Sequence, residues 1–318
     1  MQLSLGPVLY NWAPERWRDF YFRIADEAPV DVVSVGEIVC SKRSPFFAGH
    51  IPAVVERLQK GGKQVLLGSL ILVSQRRERR QTAELAAAED VLVEVNDLTC
   101  LRALAGRPHA IGPFVNIYNE ASAAFHAARG ATRICLPPEL PLSSVAAIAR
   151  SVPDVMIEVF SFGRVPLAIS ARCYHARLHK LAKDNCRFVC EKDPDGLLLN
   201  TLEQQEFLTI NGVQTLSHTA PICWATPMYC ARATSARCAC RRRIAIWSPS
   251  PGSFATCSTV ATISMAATAA LPRPIPACPS RMGSCGPSRV TSIAGQATRK
   301  ARRRRRSERI KPRRGSRG

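Results

Sequence analysis

The first 218 residues of this 318-residue chain contain no long hydrophobic run. Their longest strongly apolar stretch, Val65 to Val73, is shorter than the ~20 residues that a helix needs to cross a bilayer. Residues 1–17 show no basic leader followed by a long apolar stretch. These two absences predict a cytoplasmic protein without a membrane span.

Acidic residues are almost missing from the last third of the chain. Residues 219–318 hold 20 Lys and Arg but a single acid, Glu308, whereas residues 1–218 hold 24 Lys and Arg against 23 acids. The same segment has one leucine, no aspartate, seven cysteines and 18 arginines against two lysines. This bias is typical of GC-rich DNA translated out of frame. We therefore predict one folded domain over residues 1–218 and a disordered, Ala/Arg/Ser/Pro/Cys-rich tail over residues 219–318 that arises from a frameshift.

Three other interpretations of the tail stay open. The run Arg302 to Arg306 is dense enough to bind RNA or DNA phosphates, but no aromatic residue lies in it to stack on bases. Residues 244–271 are uncharged, but Ser, Thr, Pro and Gly make them only weakly apolar. The tail cysteines, Cys238 and Cys240 among them, form no paired metal knuckles. We expect neither specific nucleic-acid binding nor a membrane span from this segment.

Apolar runs alternate with amphipathic stretches along residues 1–218, which predicts an α/β fold. The segments between the apolar runs read as helices, as where Trp17, Phe20, Tyr21 and Ile24 recur at helical spacing. Seven or eight βα units in succession favour a TIM-like (β/α) barrel, which we expect to be incomplete at its C-terminal end. No glycine-rich phosphate fingerprint follows the first strand, which argues against a Rossmann fold. The predicted strands are Leu3–Tyr10, Asp31–Glu37, Gln64–Leu72, Asp90–Val95, Ala110–Tyr118, Thr132–Leu136, Val155–Phe160 and Phe207–Val213.

Four cysteines indicate a metal site. Cys173, Cys186 and Cys190 follow the seventh strand at Cys-x12-Cys-x3-Cys spacing, and Cys40 follows the second strand. In a reducing compartment such a cluster is more often a metal site than a disulfide framework, and four thiolates suit a 4Fe-4S cluster.

Other interpretations of the cysteines and histidines remain. His175 and His179, at i and i+4, could complete a zinc site with the Cys186–Cys190 pair, but a solvated basic helical stretch is the interpretation we favour for these two histidines. Cys100, in a helix-like stretch, and Cys135, in a strand-like one, fit ordinary core packing. A zinc-stabilised or RNA-binding module therefore remains the alternative to an iron-sulfur protein.

Polar residues follow several of the predicted strands. In a (β/α) barrel the carboxyl ends of the strands meet at one rim, which carries the functional residues. Glu37, Asn116, Asn119 and Glu139 fall at such positions, and the loop from Ser161 to Arg164 follows the seventh strand. We take the first four residues as a candidate substrate pocket.

Several short motifs occur together between residues 2 and 217. They are Ser4-Leu5-Gly6-Pro7-Val8-Leu9, Gly36-Glu37, Val39-Cys40-Ser41-Lys42-Arg43, Asn116 with Tyr118-Asn119, Cys135 with Pro137 and Glu139-Leu140, Ser170-Ala171-Arg172-Cys173, and Asn211-Gly212 with Gln214-Thr215. In combination these motifs resemble the UbiV branch of the collagenase-like peptidase family, U32.

This resemblance implies a 4Fe-4S protein of the oxygen-independent ubiquinone pathway. It implies a heterodimer with a UbiU-like sister protein, and the hydroxylation of the ubiquinone ring precursor as the joint task. The cluster ligands of the branch match Cys40, Cys173, Cys186 and Cys190 residue by residue. Proteolysis is not expected, because no Ser/His/Asp or Cys/His order supports it and the cluster would occupy the candidate nucleophiles. Two departures are Phe162-Gly163, where the peptidase-type pattern has tyrosine before glycine, and the whole of the tail. Because of the tail, an inactive, decayed homologue of this branch is a further alternative.

Overall fold

The computed structural model describes residues 2–104, 106–220 and 243–246, the last four as backbone. The chain divides into two compact units, Met1–Ala270 and Leu271–Gly318, and every described residue lies in the first. The predictions for the Arg-rich run, the tail cysteines and most of the uncharged stretch concern residues outside the described part. Among the described residues, no helix is both long and apolar enough to cross a membrane.

Seven parallel strands curl into a TIM-like sheet, which confirms the predicted α/β class. Each strand from β1 to β7 pairs with the next one along the chain. A further strand, β12 (Arg243–Ile246), pairs in parallel with both β1 and β7 and closes the ring of strands. These four residues lie within the predicted tail, so the prediction of disorder does not hold for them. No described helix follows β12, so the last βα unit is incomplete within the described residues. The first seven strands are β1 (Gln2–Leu5), β2 (Val32–Val35), β3 (Gln64–Gly68), β4 (Leu92–Val95), β5 (His109–Ile111), β6 (Ala131–Cys135) and β7 (Met156–Phe162).

Helices connect the strands and bury one face each against the sheet. On α1 the predicted apolar face is confirmed for Trp17, Tyr21 and Ile24, which are fully buried. Burial of each such side chain stabilises the fold by about 1.5–3 kcal/mol. The helices are α1 (Pro14–Glu27), α2 (Ser44–Ala48), α3 (Ile51–Lys60), α4 (Arg76–Ala86), α5 (Leu98–Leu104), α6 (Glu120–Ala127), α7 (Leu142–Ser151) and α8 (Tyr174–Leu178).

Several strands end earlier than predicted. β1 stops at Leu5, before Gly6 and Pro7, because proline has no N–H to donate to a neighbouring strand. β5 stops at Ile111, and Pro113–Val115 form a 3-10 turn instead. The residues assigned to these strand ends therefore lie in loops at the rim of the barrel.

A second sheet follows β7, and it contains the eighth predicted strand. The prediction that Phe207–Val213 continues the parallel series is wrong in placement. Its residues form β10, which makes a tight hairpin with β11 around Gly212, whose φ of 62° favours glycine. Strands joined by so short a loop must be antiparallel, so they cannot extend a parallel barrel. The sheet has the order β8-β11-β10-β9, with β8 (Pro166–Ile169), β9 (Leu197–Asn200), β10 (Glu206–Asn211) and β11 (Gln214–Ser217).

We call residues 164–218 the insert. The indole Nε1 of Trp12 donates to the Pro194 carbonyl at 2.7 Å, and Arg164 donates to the hydroxyl of Tyr10 at 3.0 Å. The ring of Phe46 meets that of Phe188 edge to face at 4.8 Å. These contacts fix the insert over the loops that follow β1 and β2.

The barrel interior contains charged side chains. Arg133 lies 3.2 Å from Glu158 and donates to Gln64 at 2.9 Å. Ser34 and Asn96 donate to Glu94, which is also buried. Burial raises the pKa of both glutamates, because a low-dielectric interior disfavours the ionised form.

Candidate metal centre

The four cysteines singled out by spacing line one pocket. Cys40 comes from the loop after β2, and Cys173, Cys186 and Cys190 come from the insert between β8 and β9. All four are free thiols, and Cys190 is the most deeply buried of them. The pocket therefore forms only where the insert packs on the barrel.

The three insert cysteines lie in or at the ends of short helical turns, which fix their backbone conformation. Cys173 is the N-cap of α8, and its Sγ accepts the N–H of Ala176 at 3.5 Å. Cys186 ends one 3-10 turn, and Cys190 lies in the next turn, Val189–Lys192. Arg187 and Phe188 lie between Cys186 and that second turn. Both intervening residues have positive φ, 49° and 52°, which is uncommon for non-glycine residues and requires support from surrounding contacts.

Glu37 holds the loop that contains Cys40. One of its carboxylate oxygens, Oε1, accepts the N–H of Val39 at 2.8 Å and that of Cys40 at 2.9 Å. Its side chain is buried, and burial raises the pKa of the carboxyl while the nearby Arg43 guanidinium opposes that rise. Glu37, predicted as a substrate contact, here positions the Cys40 loop.

Arg43 lines the pocket from the barrel side and is fully buried. Nη1 donates to the Leu9 carbonyl at 3.0 Å, and Nη2 donates to the side chain of Asn211 at 3.1 Å. The guanidinium and Cys190 line the same pocket. Burial raises the pKa of the Cys190 thiol, and Arg43 opposes that effect by favouring the thiolate.

Asn11 is a second side-chain donor to a cysteine sulfur. Its Nδ2 lies 3.6 Å from the Sγ of Cys190, and the residue is buried in the loop after β1. Sequence reasoning missed Asn11 altogether and mentioned Arg43 only as part of a motif. The available signal was their position in the loops that follow β1 and β2.

The interpretation of His175 and His179 as a solvated basic stretch is wrong for His175. This side chain is buried, and its Nδ1 accepts the N–H of Gly212 at 3.0 Å. Its Nε2 lies 3.0 Å from Asp193. The exposed His179 fits the prediction. The difference arises because α8 packs one face against the β10–β11 hairpin.

The donor set contains four thiols, which are the ligand type of an iron-sulfur cluster. Among residues 2–104 and 106–220, no three His, Cys, Asp or Glu side chains lie close enough together to hold one metal ion. Around one zinc the thiolates would lie about 3.8 Å apart, from Zn–S bonds of about 2.3 Å. A cubane separates its ligands because each thiolate binds a different iron. Four soft thiol donors in a pocket wall, two of them receiving N–H bonds, fit such a group.

The remaining rim candidates lie apart from this pocket. Asn119 caps α6 by accepting the N–H of Ser122 at 2.9 Å. Asn116 is exposed in a left-handed conformation, and the hydroxyl of Tyr118 donates to the exposed Glu139. None of the three candidate residues Asn116, Asn119 and Glu139 lines the pocket that the cysteines share.

Cys100 and Cys135 are both buried in apolar clusters of the barrel, Cys100 on α5 and Cys135 at the end of β6. Burial raises the pKa of the Cys100 thiol to about 11. Such thiols are inert side chains of the core.

Comparison with known proteins places the site in a family context. The model of peptidase family U32 matches residues 17–206, which include all four pocket cysteines. A tRNA hydroxylation protein P from Haemophilus influenzae is 38% identical over 58 residues, which are 18% of this chain and 13% of that protein. The chain thus spans only a small part of that relative's length.

Proposed function

Because the chain belongs to peptidase family U32, we propose that it is a 4Fe-4S protein with a role in oxygen-independent hydroxylation. The observation behind this proposal is the pocket that contains Cys40, Cys173, Cys186 and Cys190, with sulfurs that accept N–H donors. The name of the hydroxylation relative supports the reaction class. We assign to the cluster the chemistry of one-electron transfer.

The substrate we propose is the ubiquinone ring precursor, and the partner is a UbiU-like sister protein in a heterodimer. Both follow from the motifs of the UbiV branch. The barrel supplies the polar rim, and Glu37 and Arg43 hold the Cys40 loop in place. Proteolysis is not part of the proposal.

The test begins with protein purified without oxygen. Wild-type chain should be brown and contain about four irons and four acid-labile sulfides. Each of the four pocket cysteines changed to alanine should lose most of this iron. Cys100→Ala removes a buried thiol away from the pocket and is the matched control, so it should keep the iron. Colourless protein that retains zinc would overturn the cluster assignment.

The pathway assignment has its own experiment. Co-expression with the sister protein should restore anaerobic ubiquinone synthesis in cells that lack their own copy, measured by quinone mass spectrometry. The four alanine variants should fail, and Cys100→Ala should succeed. If the gene is confirmed in frame through the codons for Leu216 to Cys223, a brown protein that restores no ubiquinone would retain the cluster assignment but reject this substrate.

A second candidate function, tRNA hydroxylation, is favoured by the relative's name and by a basic band beside the pocket. We define the band as residues 76–80, Lys42 and residues 172–192. It holds eleven Lys and Arg against three acids, whereas the rest of residues 1–218 holds thirteen against twenty. Arg77 donates to the Ser41 carbonyl at 3.4 Å and Lys42 to the Lys183 carbonyl at 2.7 Å, so the parts of the band are contiguous.

A band of this kind suits a phosphodiester backbone. Binding of bulk tRNA, measured at 50 and 200 mM salt, should weaken steeply with salt and fall in the double variant Lys42→Ala, Lys183→Ala. Lys60→Ala with Lys63→Ala, outside the band, is the charge-matched control. Equal binding by both double variants would reject the band as an RNA surface.

We also propose that the reading frame is lost near residue 219. The support is the charge and composition break alone. Resequencing the gene through the codons for Leu216 to Cys223 tests it directly. The proposal is supported if resequencing finds an inserted or deleted base and the corrected frame encodes a segment of balanced charge. It is rejected if resequencing confirms the present reading frame.

A further inference from the structure

Arg43 is a buried charge whose nearest carboxylate lies beyond hydrogen-bonding distance. Its side chain is 1% exposed, yet its closest carboxylate, on Glu37, lies 3.9 Å away. The other oxygen of that carboxylate, Oε1, is committed to the N–H groups of Val39 and Cys40. The Nε of Arg43 has no hydrogen-bond partner among the described residues. A buried guanidinium is costly unless an anion compensates it, so this arrangement calls for a further negative group.

The pocket is where that negative group would lie. Arg43 lines the same pocket as the four thiols. Gly212 packs so closely against the guanidinium that a Cβ there would lie 2.9 Å from Nη2 of Arg43. The Leu9 carbonyl and Asn211 fix the other two edges. The guanidinium is therefore held in one place relative to the cysteines.

We infer that Arg43 is a positioning residue that compensates the negative charge of the group bound by Cys40, Cys173, Cys186 and Cys190 and raises its reduction potential. This inference rests on the proposed 4Fe-4S function. Thiolate ligands make such a group anionic, and reduction adds one further negative charge. A fixed positive charge and N–H donors to sulfur favour the reduced form, because net charge and hydrogen bonds to sulfur set cluster potentials.

The experiment compares four full-length proteins purified without oxygen: wild type, Arg43→Gln, Arg43→Lys and Arg164→Gln. Arg164 also joins the barrel to the insert, through Tyr10, but does not line the pocket. It therefore controls for loss of a structural arginine at the same junction. Each protein is assayed for iron and sulfide, for melting temperature after removal of metal, and for midpoint potential by titration with dithionite, which supplies the single electron.

We expect Arg43→Gln to lower the reduction equilibrium constant at least tenfold, which equals about 59 mV for one electron. Arg43→Lys should recover most of that shift because it keeps the charge. Arg164→Gln should melt lower than wild type but keep the wild-type potential. Loss of iron in Arg43→Gln, with iron retained in an Arg164→Gln protein of equal or lower melting temperature, also supports the inference.

Three results overturn it. If Arg43→Gln keeps its iron and the wild-type potential, Arg43 has a structural role only, and the proposed function still stands. If both Arg43→Gln and Arg164→Gln lose iron in proportion to their melting temperatures, the effect is one of stability. Wild-type protein without iron would overturn the proposed function, and this inference with it, so the two failures are distinguishable.

Discussion

Two buried arginines distinguish the barrel interior from the cysteine pocket. Inside the barrel, Arg133 has Glu158 at 3.2 Å and Gln64 at 2.9 Å, and Glu94 lies close enough to influence its pKa. At the pocket, Arg43 has a carboxylate only at 3.9 Å and faces thiols. Burial lowers the pKa of Arg133 although Glu158 and Glu94 oppose it, whereas at Arg43 burial is outweighed by Glu37 and the thiols of Cys190 and Cys40, which raise the pKa. We therefore interpret Arg133 as part of a structural ion pair and Arg43 as one wall of a binding site.

The largest expected effect is on the barrel interior. Arg133→Leu should lower the free energy of unfolding by about 3–5 kcal/mol, because it removes one partner of a buried ion pair. Urea unfolding measures the change. Arg102→Leu, on the exposed face of α5, is the control and should change stability little. A loss no larger than that of the control would show that Arg133 is not needed to compensate the interior carboxylates.

The next effect is on the pH dependence of stability. Burial raises the pKa of Glu94 and Glu158 above the unfolded value of about 4.3. The folded state then binds more protons than the unfolded state, so stability falls as pH rises above about 4.3, by at most ~1.4 kcal/mol per pH unit for each group. Glu94→Gln should flatten this fall in urea unfolding from pH 4 to 8. Glu56→Gln is the surface control, and a slope unchanged by Glu94→Gln would contradict the prediction.

The third effect concerns the insert side of the comparison. His175→Ala leaves the buried N–H of Gly212 without its acceptor, which should cost about 1–3 kcal/mol and expose the cysteine segment. Limited proteolysis of metal-free protein should therefore cut residues 173–196 faster. His179→Ala, four residues away and exposed, should behave as wild type. Equal cleavage of both variants would show that the His175 hydrogen bond does not stabilise the insert.

The smallest effect decides the role of Asn119. If this residue acts as a helix cap, Asn119→Ala should cost about 1 kcal/mol and Asn119→Ser should be close to neutral. Thermal melting measures both. If Asn119→Ser keeps full stability but reduces hydroxylation, Asn119 contacts the substrate as first predicted.

The sequence predicted the strands of the barrel better than their ends. Apolar runs identified β1 to β7, because a parallel sheet covered by helices buries both faces of its strands. It did not identify the insert sheet, whose short strands show an irregular pattern, and it put β10 in the wrong sheet. The charges inside the barrel, Glu94, Arg133 and Glu158, were also missed. A single polar residue in an apolar strand does not show from sequence whether its side chain faces the barrel interior or the surrounding helices.

The candidate site shows the same division. Spacing alone singled out Cys173, Cys186 and Cys190, because soft ligands grouped in one loop are a local property of the chain. The spacing could not show that Asn11 and Arg43 share a pocket with them. Those residues lie more than 100 positions away in sequence and join the site only when the insert packs on the barrel.

By itself, the sequence determined the α/β class, the family motifs, the four thiols and the break in charge at residue 219, since composition and periodicity record these directly. Only the tertiary structure decided that Glu37 holds the Cys40 loop, that His175 is buried and that Arg43 faces the thiols without a close carboxylate. The physical reason is that burial and electrostatic compensation depend on which groups surround a side chain, and those neighbours come from distant parts of the chain.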